Sequence, residues 1–309
     1  MMADEGEPIM KKYIGIDLGG TNVRVATVDE KGRIVNQVKS ASYAQEGRDA
    51  VLTNLVKVVQ ELPDWSEAAA IGAGVPGPVD QKSGSMVLST NMPGFQDFPL
   101  AKFLKDQFGK PAFLDNDANV AALAEALYGA GKGLSVVFYT TLSTGIGSGL
   151  VVDGKVVSGK HGFTGEVANV VIDRGREKVN YLTPGAVENE ASGTAITRKG
   201  RALLPEAGIQ HAGMVFDLAR QGNEIAQAIA DRAEGDLAQF FATVGGILDP
   251  DIFVLGGGMT RQADDWLAPM IEKYKAITHV QLHDTPFALA EIGEPGLIGA
   301  SLLPKSHGL

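Results

Sequence analysis

The chain has 309 residues, of which 44% are hydrophobic and 21% charged, a balance that excludes a disordered polypeptide and suits two domains or one large one. A formal net charge of −10 argues against a nucleic-acid or anionic-membrane partner, since either asks for a basic surface. With no cysteine, disulfides and thiolate metal sites are excluded, and any metal must bind through oxygen or imidazole.

The first ten residues are polar and acidic, without the basic start and apolar run of a secretory signal. No stretch approaches the ~18–20 consecutive apolar residues of a membrane-spanning helix, so a cytoplasmic protein is expected. Residues 13–17 alternate apolar with small or polar side chains, and after Leu18-Gly-Gly-Thr21 a second alternating run covers 23–28: strand, glycine turn, strand. Asp29-Glu-Lys-Gly32 supplies another turn before a short strand at 34–39. Over 49–62, Val51, Leu52, Leu55, Val58, Val59 and Leu62 fall on one face of a helix. Residues 69–75 read as a buried strand ending in Pro76-Gly77-Pro78, and this alternation of strand and helix favours an α/β fold.

A strand at 112–114 leads into a helix at 118–128. Residues 135–157 then read strand, Leu142-Ser-Thr-Gly-Ile-Gly-Ser-Gly149, strand, Asp153-Gly154, strand, which echoes the unit that begins at Asp17. Two copies of one hairpin unit predict an internally duplicated fold, although ordinary hairpins share some of these features. Beyond residue 184 the chain reads as largely helical, with stretches at 216–219 and 224–245. A strand at 252–255 runs into Gly256-Gly-Gly258, and a last helix covers 296–303.

Several of these turns are suited to anion chemistry. In Asp17-Leu-Gly-Gly-Thr21, adjacent glycines let backbone N–H groups approach a phosphate, Thr21 adds a hydroxyl, and Asp17 can hold a hydrated Mg²⁺; a plain hairpin with a solvated acid is the alternative. The turn around Thr144, Gly145 and Gly147 repeats this style and is neither a Walker loop nor a Rossmann fingerprint. Gly256, Gly257 and Gly258 leave backbone free to lie against a flat ligand such as adenine, or form a bare strand-to-helix turn. In Leu114-Asp-Asn-Asp-Ala-Asn119, helix capping suits Asp115 and Asn119. Asp117 has the placement of a general base toward a sugar hydroxyl, with Asn116 able to bond neighbouring hydroxyls. Asn91, Glu166 and Glu188 lie in turn contexts and gain meaning only jointly. None of the five histidines has metal-ligand spacing.

Taken in order, Asp17-Leu-Gly-Gly-Thr21, Gly74-Val-Pro-Gly77, Asn91, Asn116-Asp-Ala-Asn119, Ser143-Thr-Gly-Ile-Gly-Ser-Gly149, Gly165-Glu166, Glu188 with Ala191-Ser-Gly193, and Gly256-Gly-Gly258 resemble the ROK family of sugar kinases and related repressors. The resemblance implies a two-domain actin-like, ribonuclease-H-like α/β fold with a duplicated core and an interdomain cleft. The smaller domain would be 1–114 closed by 296–309, and the larger 115–295. It implies that Asp17, Gly19, Gly20, Thr21 and Asn22, together with Thr144, Gly145 and Gly147, hold ATP, and that Mg²⁺ binds at Asp17 through water. Asp117 would be the base, with Gly77, Asn91, Asn116, Glu166, Asn169 and Glu188 around the sugar. A homodimer is also implied.

Two departures stand out. The family's cysteine zinc motif would fall within 174–188, which holds no cysteine, so zinc is not expected; and Asn169 stands where the family has a histidine that touches the sugar. The leading expectation is an ATP-dependent kinase acting on the 6-hydroxyl of glucose or a related hexose. The alternatives are a sugar-binding regulator, for which only about a dozen residues precede the first strand, too few for a helix-turn-helix, and a non-catalytic sensor.

Overall fold

A computed structural model of the chain describes residues 10–88 and 92–309. The alternating runs near the start form three antiparallel strands, β1 (Lys12–Leu18), β2 (Asn22–Asp29) and β3 (Ile34–Ala41). Helix α1 (Arg48–Gln60) follows and buries Val51, Leu52, Leu55, Val58 and Val59, the stripe expected from their spacing. Strand β4 (Ala70–Val75) lies parallel to β1. A short hairpin of β5 (Val79–Asp80) and β6 (Ser85–Met86) comes next, then α2 (Leu100–Phe108), then β7 (Ala112–Asn116), parallel to β4. The sheet order is β3-β2-β1-β4-β7.

Helix α3 (Asp117–Tyr128) leads to β8 (Val136–Leu142), β9 (Ile146–Val152) and β10 (Lys155–Val156), again antiparallel in sequence. Five helices follow: α4 (Val187–Ala191), α5 (Gly193–Leu203), α6 (Ala212–Arg220), α7 (Glu224–Leu248) and, after the strand β11 (Ile252–Gly256), α8 (Ala263–Ile277). Strand β12 (Phe287–Leu289) and helix α9 (Pro295–Ser306) close the sequence. The second sheet has the order β10-β9-β8-β11-β12, with β11 parallel to both β8 and β12. Strand for strand it repeats the first sheet, a three-stranded antiparallel unit followed by two parallel strands, as the duplicated glycine hairpins predict.

The described residues fall into two compact units. Unit 1 takes those of Met1–Ala124, Ser158–Phe163 and Ile292–Leu309; unit 2 takes Glu125–Val157 and Thr164–Glu291. Each has its own core. In unit 1, Ile14, Ile16, Val25, Leu55 and Ile71 are wholly buried between sheet and helices. In unit 2 the core is aromatic, with Phe138, Phe240, Phe241, Phe253, Trp266 and Tyr274, and Phe253 stacks on Phe287 at 4.7 Å. Helix α9 packs against β1 and β4 so closely that a side chain at Gly72 would place its Cβ 1.8 Å from the Ala300 carbonyl oxygen. Likewise, a Cβ at Gly299 would lie 1.7 Å from the carbonyl oxygen of Val120 on α3. No helix among the described residues is long and apolar enough to cross a membrane.

Candidate active site

In unit 1 the first glycine turn spans residues 19–22 between the paired Leu18 and Val23. The Gly19 N–H donates to the Asn22 carbonyl at 2.9 Å, which closes the loop between β1 and β2 and leaves Thr21 and Asn22 exposed with Gly20 beside them. Asp17 sits on β1 directly opposite Arg24 on β2, and the two form an ion pair. A second guanidinium nitrogen of Arg24 meets Glu294, immediately before α9. Gly296 keeps this corner open, since a Cβ there would come 2.7 Å from the Asp17 carboxylate.

The junction of β7 and α3 is organised by Asn116. Its Oδ1 accepts from the Ala118 N–H at 2.8 Å, capping the helix, and its Nδ2 donates to the Gly77 carbonyl at 3.2 Å. Gly77 has φ +85, a left-handed conformation in which glycine is unstrained. Asp115 and Asn119, expected as caps, form a buried pair instead. Asn119 donates to Asp115 at 2.8 Å, Gln81 donates to its other oxygen, and burial pushes the Asp115 carboxyl up. The cap is the residue between them because Asp115, like Leu114 beside it, is buried and is held by Asn119 and Gln81.

Asp117 is the first residue of α3 and keeps a face open to solvent. Dense protein around the rest of its side chain desolvates the carboxylate and pushes its pKa up to about 6; the Ala118 N–H opposes the rise and the negative charge of Asp17 adds to it. Unit 1 thus brings Asp17, Gly77, Asn116 and Asp117 to the ends of β1, β4 and β7. Asn91 lies outside the described residues.

Unit 2 repeats the turn. Ser143, Thr144 and Gly145 join β8 to β9, with the Ser143 N–H donating to Gly145 at 2.9 Å and the Gly193 N–H donating to Ser143 at 2.8 Å. Half-buried Glu188 on α4 reaches this turn, its Oε2 accepting from the Ile146 N–H at 2.9 Å. The carboxylate fits because Gly145 has no side chain; a Cβ there would lie 2.4 Å from it. Gly147 follows on β9. Glu166 is exposed just after Gly165, whose carbonyl accepts from Ser148 at 3.1 Å. Asn169 is also exposed, and its Oδ1 accepts from the Thr183 N–H at 2.7 Å, fixing its side chain to the loop before α4.

Strand β11 ends at Gly256, and Gly257, at φ +89, runs against the Leu142 carbonyl. Beyond it opens a cavity of about 770 Å³ lined by Thr144, Gly193, Thr194, Gly258, Arg261 and Gln262 among others. The second glycine turn and the triple glycine therefore share one recess, of a volume suited to a small-molecule ligand. In the stretch after Asn169, Arg176 binds Asp173 at 2.6 Å, Asp236 at 2.7 Å and Glu190 at 3.0 Å, and Lys199 also reaches Glu190 at 3.0 Å.

Sequence reasoning missed Arg24, Glu294, Arg176 and the α5 and α6 sides of the cavity. Arg24 had a signal: counting outward from a four-residue loop, residues 19–22, pairs Leu18 with Val23 and Asp17 with Arg24. Glu294 had none, because Arg24 lies 270 positions away, and for Arg176 only the pair with Asp173 is local, while Asp236 lies 60 positions on.

Residues 13–307 match the model of the ROK family. Over 96% of this chain and 98% of the relative, the sequence is 34% identical to a glucokinase of Thermotoga maritima. The structure superposes on a ROK hexokinase from Thermus thermophilus with a TM-score of 0.84 and 32% identity, covering 94% of this chain and 97% of the other. A ROK family glucokinase from Streptomyces griseus, solved in complex with glucose and AMPPNP, gives a TM-score of 0.78 at 26% identity over 95% and 99% of the two chains. With its duplicated α/β architecture and its motifs in order from one end to the other, the chain belongs to the ROK family.

Proposed function

We propose that this ATP-dependent sugar kinase transfers the γ-phosphoryl group to the 6-hydroxyl of glucose or a related hexose, with Asp117 as the general base. The observation that carries the reading is the placement of Asp117, an exposed carboxylate at the start of α3 where β7 ends, beside Asn116 and Gly77. Desolvation and the charge of Asp17, which push its pKa up to about 6, suit a base. As the sugar oxygen attacks, its proton passes to Asp117, the new O–P bond forms, and the bond to the bridging oxygen breaks with its electron pair leaving on ADP.

The cavity of unit 2 suits the nucleoside of ATP: Gly258 and Thr144 line it, and we assign the adjoining Gly256 and Gly257 to the base and Gly145 and Gly147 to the phosphates. Gly19, Gly20, Thr21 and Asn22 offer the corresponding turn in unit 1. Sugar hydroxyls are assigned to Gly77, Asn91, Asn116, Glu166, Asn169 and Glu188. Asn116 and Glu188 act there through groups the fold already holds in place, the first as the α3 cap and the second against Ile146.

Among the described residues no group of three His, Cys, Asp or Glu is arranged to hold a metal ion. A single carboxylate at Asp17, steadied by Arg24, nevertheless fits Mg²⁺, which takes one or two carboxylates and otherwise water and phosphate oxygens. When bound, it neutralises charge on the phosphates.

The test is ADP release from ATP and Mg²⁺ over a panel of hexoses and N-acetylhexosamines, with wild type beside Asp117→Asn. One sugar stimulating turnover, and loss of that turnover in the variant with sugar binding kept, is the expected result. Equal turnover in the variant would reject Asp117 as base.

A further inference from the structure

Glu125 is fully buried and has no part in the chemistry above. It lies on α3 eight residues after Asp117, about two helical turns along. Its carboxylate accepts from the Ala130 N–H at 3.1 Å and, with both oxygens, from the Glu291 N–H at 3.0 and 3.2 Å. Gly129 makes room for it, since a Cβ there would stand 2.0 Å from Oε2.

The placement is informative. The chain passes from unit 1 to unit 2 between Ala124 and Glu125, and returns between Glu291 and Ile292. One buried side chain therefore ties the first of these passages to the last, 166 positions apart in sequence. Both oxygens face N–H donors, so the site wants an acceptor-only group. An ionised carboxylate is one, whereas an amide would turn an NH₂ toward a donor. A buried core position used only for packing would be served as well by an apolar side chain at lower desolvation cost.

We infer that Glu125 is a positioning residue for phosphoryl transfer: by anchoring the far end of α3 to the backbone of Glu291, it fixes the helix that presents Asp117. The inference rests on Asp117 being the base. Small misplacements of a reacting group lower turnover more than they lower ground-state binding, so the signature is a loss in kcat with KM for sugar nearly unchanged.

The experiment compares Glu125→Gln, Gly129→Ala and Asp117→Asn with wild type in steady-state kinetics on the best sugar of the panel, with Tm measured alongside. Gly129 has no positive φ, and the added methyl group meets chiefly the Glu125 carboxylate, at 2.0 Å from Oε2, with the Glu125 Cα at 3.1 Å, so this variant perturbs the anchor without changing charge. We expect kcat to fall about tenfold, equivalent to about 1.4 kcal/mol, in both anchor variants. KM for sugar should stay within about twofold at temperatures well below Tm. Wild-type kcat in a folded Gly129→Ala or Glu125→Gln protein overturns the inference, and so does a loss that only follows the unfolded fraction. If Glu125→Gln does not fold, Gly129→Ala alone decides. Retained turnover in Asp117→Asn would instead overturn the assignment of the base, whatever the anchor variants do.

Discussion

At the scale of single residues, Asp117 is the side chain whose environment carries the most chemistry. Removing its charge as Asp117→Asn should lower kcat by about 10²–10⁴-fold, the usual span for a lost general base, while calorimetry still detects sugar binding. A base works only when ionised, so kcat/KM should decline as pH falls through about 6, and Asp117→Asn should lack that acidic limb. The sign for stability is opposite. A carboxyl whose folded pKa is raised stabilises the fold in acid, and that contribution is lost as pH rises through about 6. At neutral pH, thermal melting should therefore find Asp117→Asn at least as stable as wild type. The sequence made Asp117 legible through its place between a strand and a helix. It did not make legible which neighbour caps α3, because that depends on the inward facing of Asp115 and on Gln81, 34 positions away.

At the scale of elements, close packing of α9 on the first sheet depends on glycine. Gly72→Ala would drive a methyl group into the Ala300 carbonyl, and overpacking of this kind costs about 1–3 kcal/mol, readable as a lower urea midpoint. Arg176 binds three carboxylates, two of them, Glu190 and Asp236, nearly buried. Burial pushes the Asp236 carboxyl up even beside the guanidinium. Arg176→Met should then cost about 3 kcal/mol, since it leaves buried acids without their partner; chemical denaturation measures it. Both hairpin units, α1, α3, α7 and β11 were legible from periodicity and glycine turns. Helix α2 was not, being nine residues long with only Leu100, Ala101, Leu104 and Phe108 to mark its buried face, and β12 is three residues whose pairing with β11 only the assembled sheet supplies.

At the scale of the whole molecule, two cores in one chain predict unfolding that departs from a single cooperative step. The chain holds two tryptophans, and each unit has one. Trp65 packs edge-on to Phe108 at 5.7 Å, and buried Trp266 donates to the Met259 carbonyl at 3.1 Å, beside the triple-glycine turn. In the single-tryptophan variants Trp65→Phe and Trp266→Phe, fluorescence should report different midpoints, with a non-hydrolysable ATP analogue raising the Trp266 midpoint more; coincident, equally shifted transitions would argue for one cooperative unit. Duplication was legible in the repeated hairpin, and the return of the chain at 296–309 was expected from the family resemblance, whereas the close fit at Gly72 shows only in the packed structure. That return orders events during synthesis. The strands of unit 1 leave the ribosome first, yet β1 and β4 wait for α9, which is translated after all of unit 2. Nascent chains should therefore complete the second-made unit first, and the apolar face of the N-terminal sheet is where a chaperone would be needed longest.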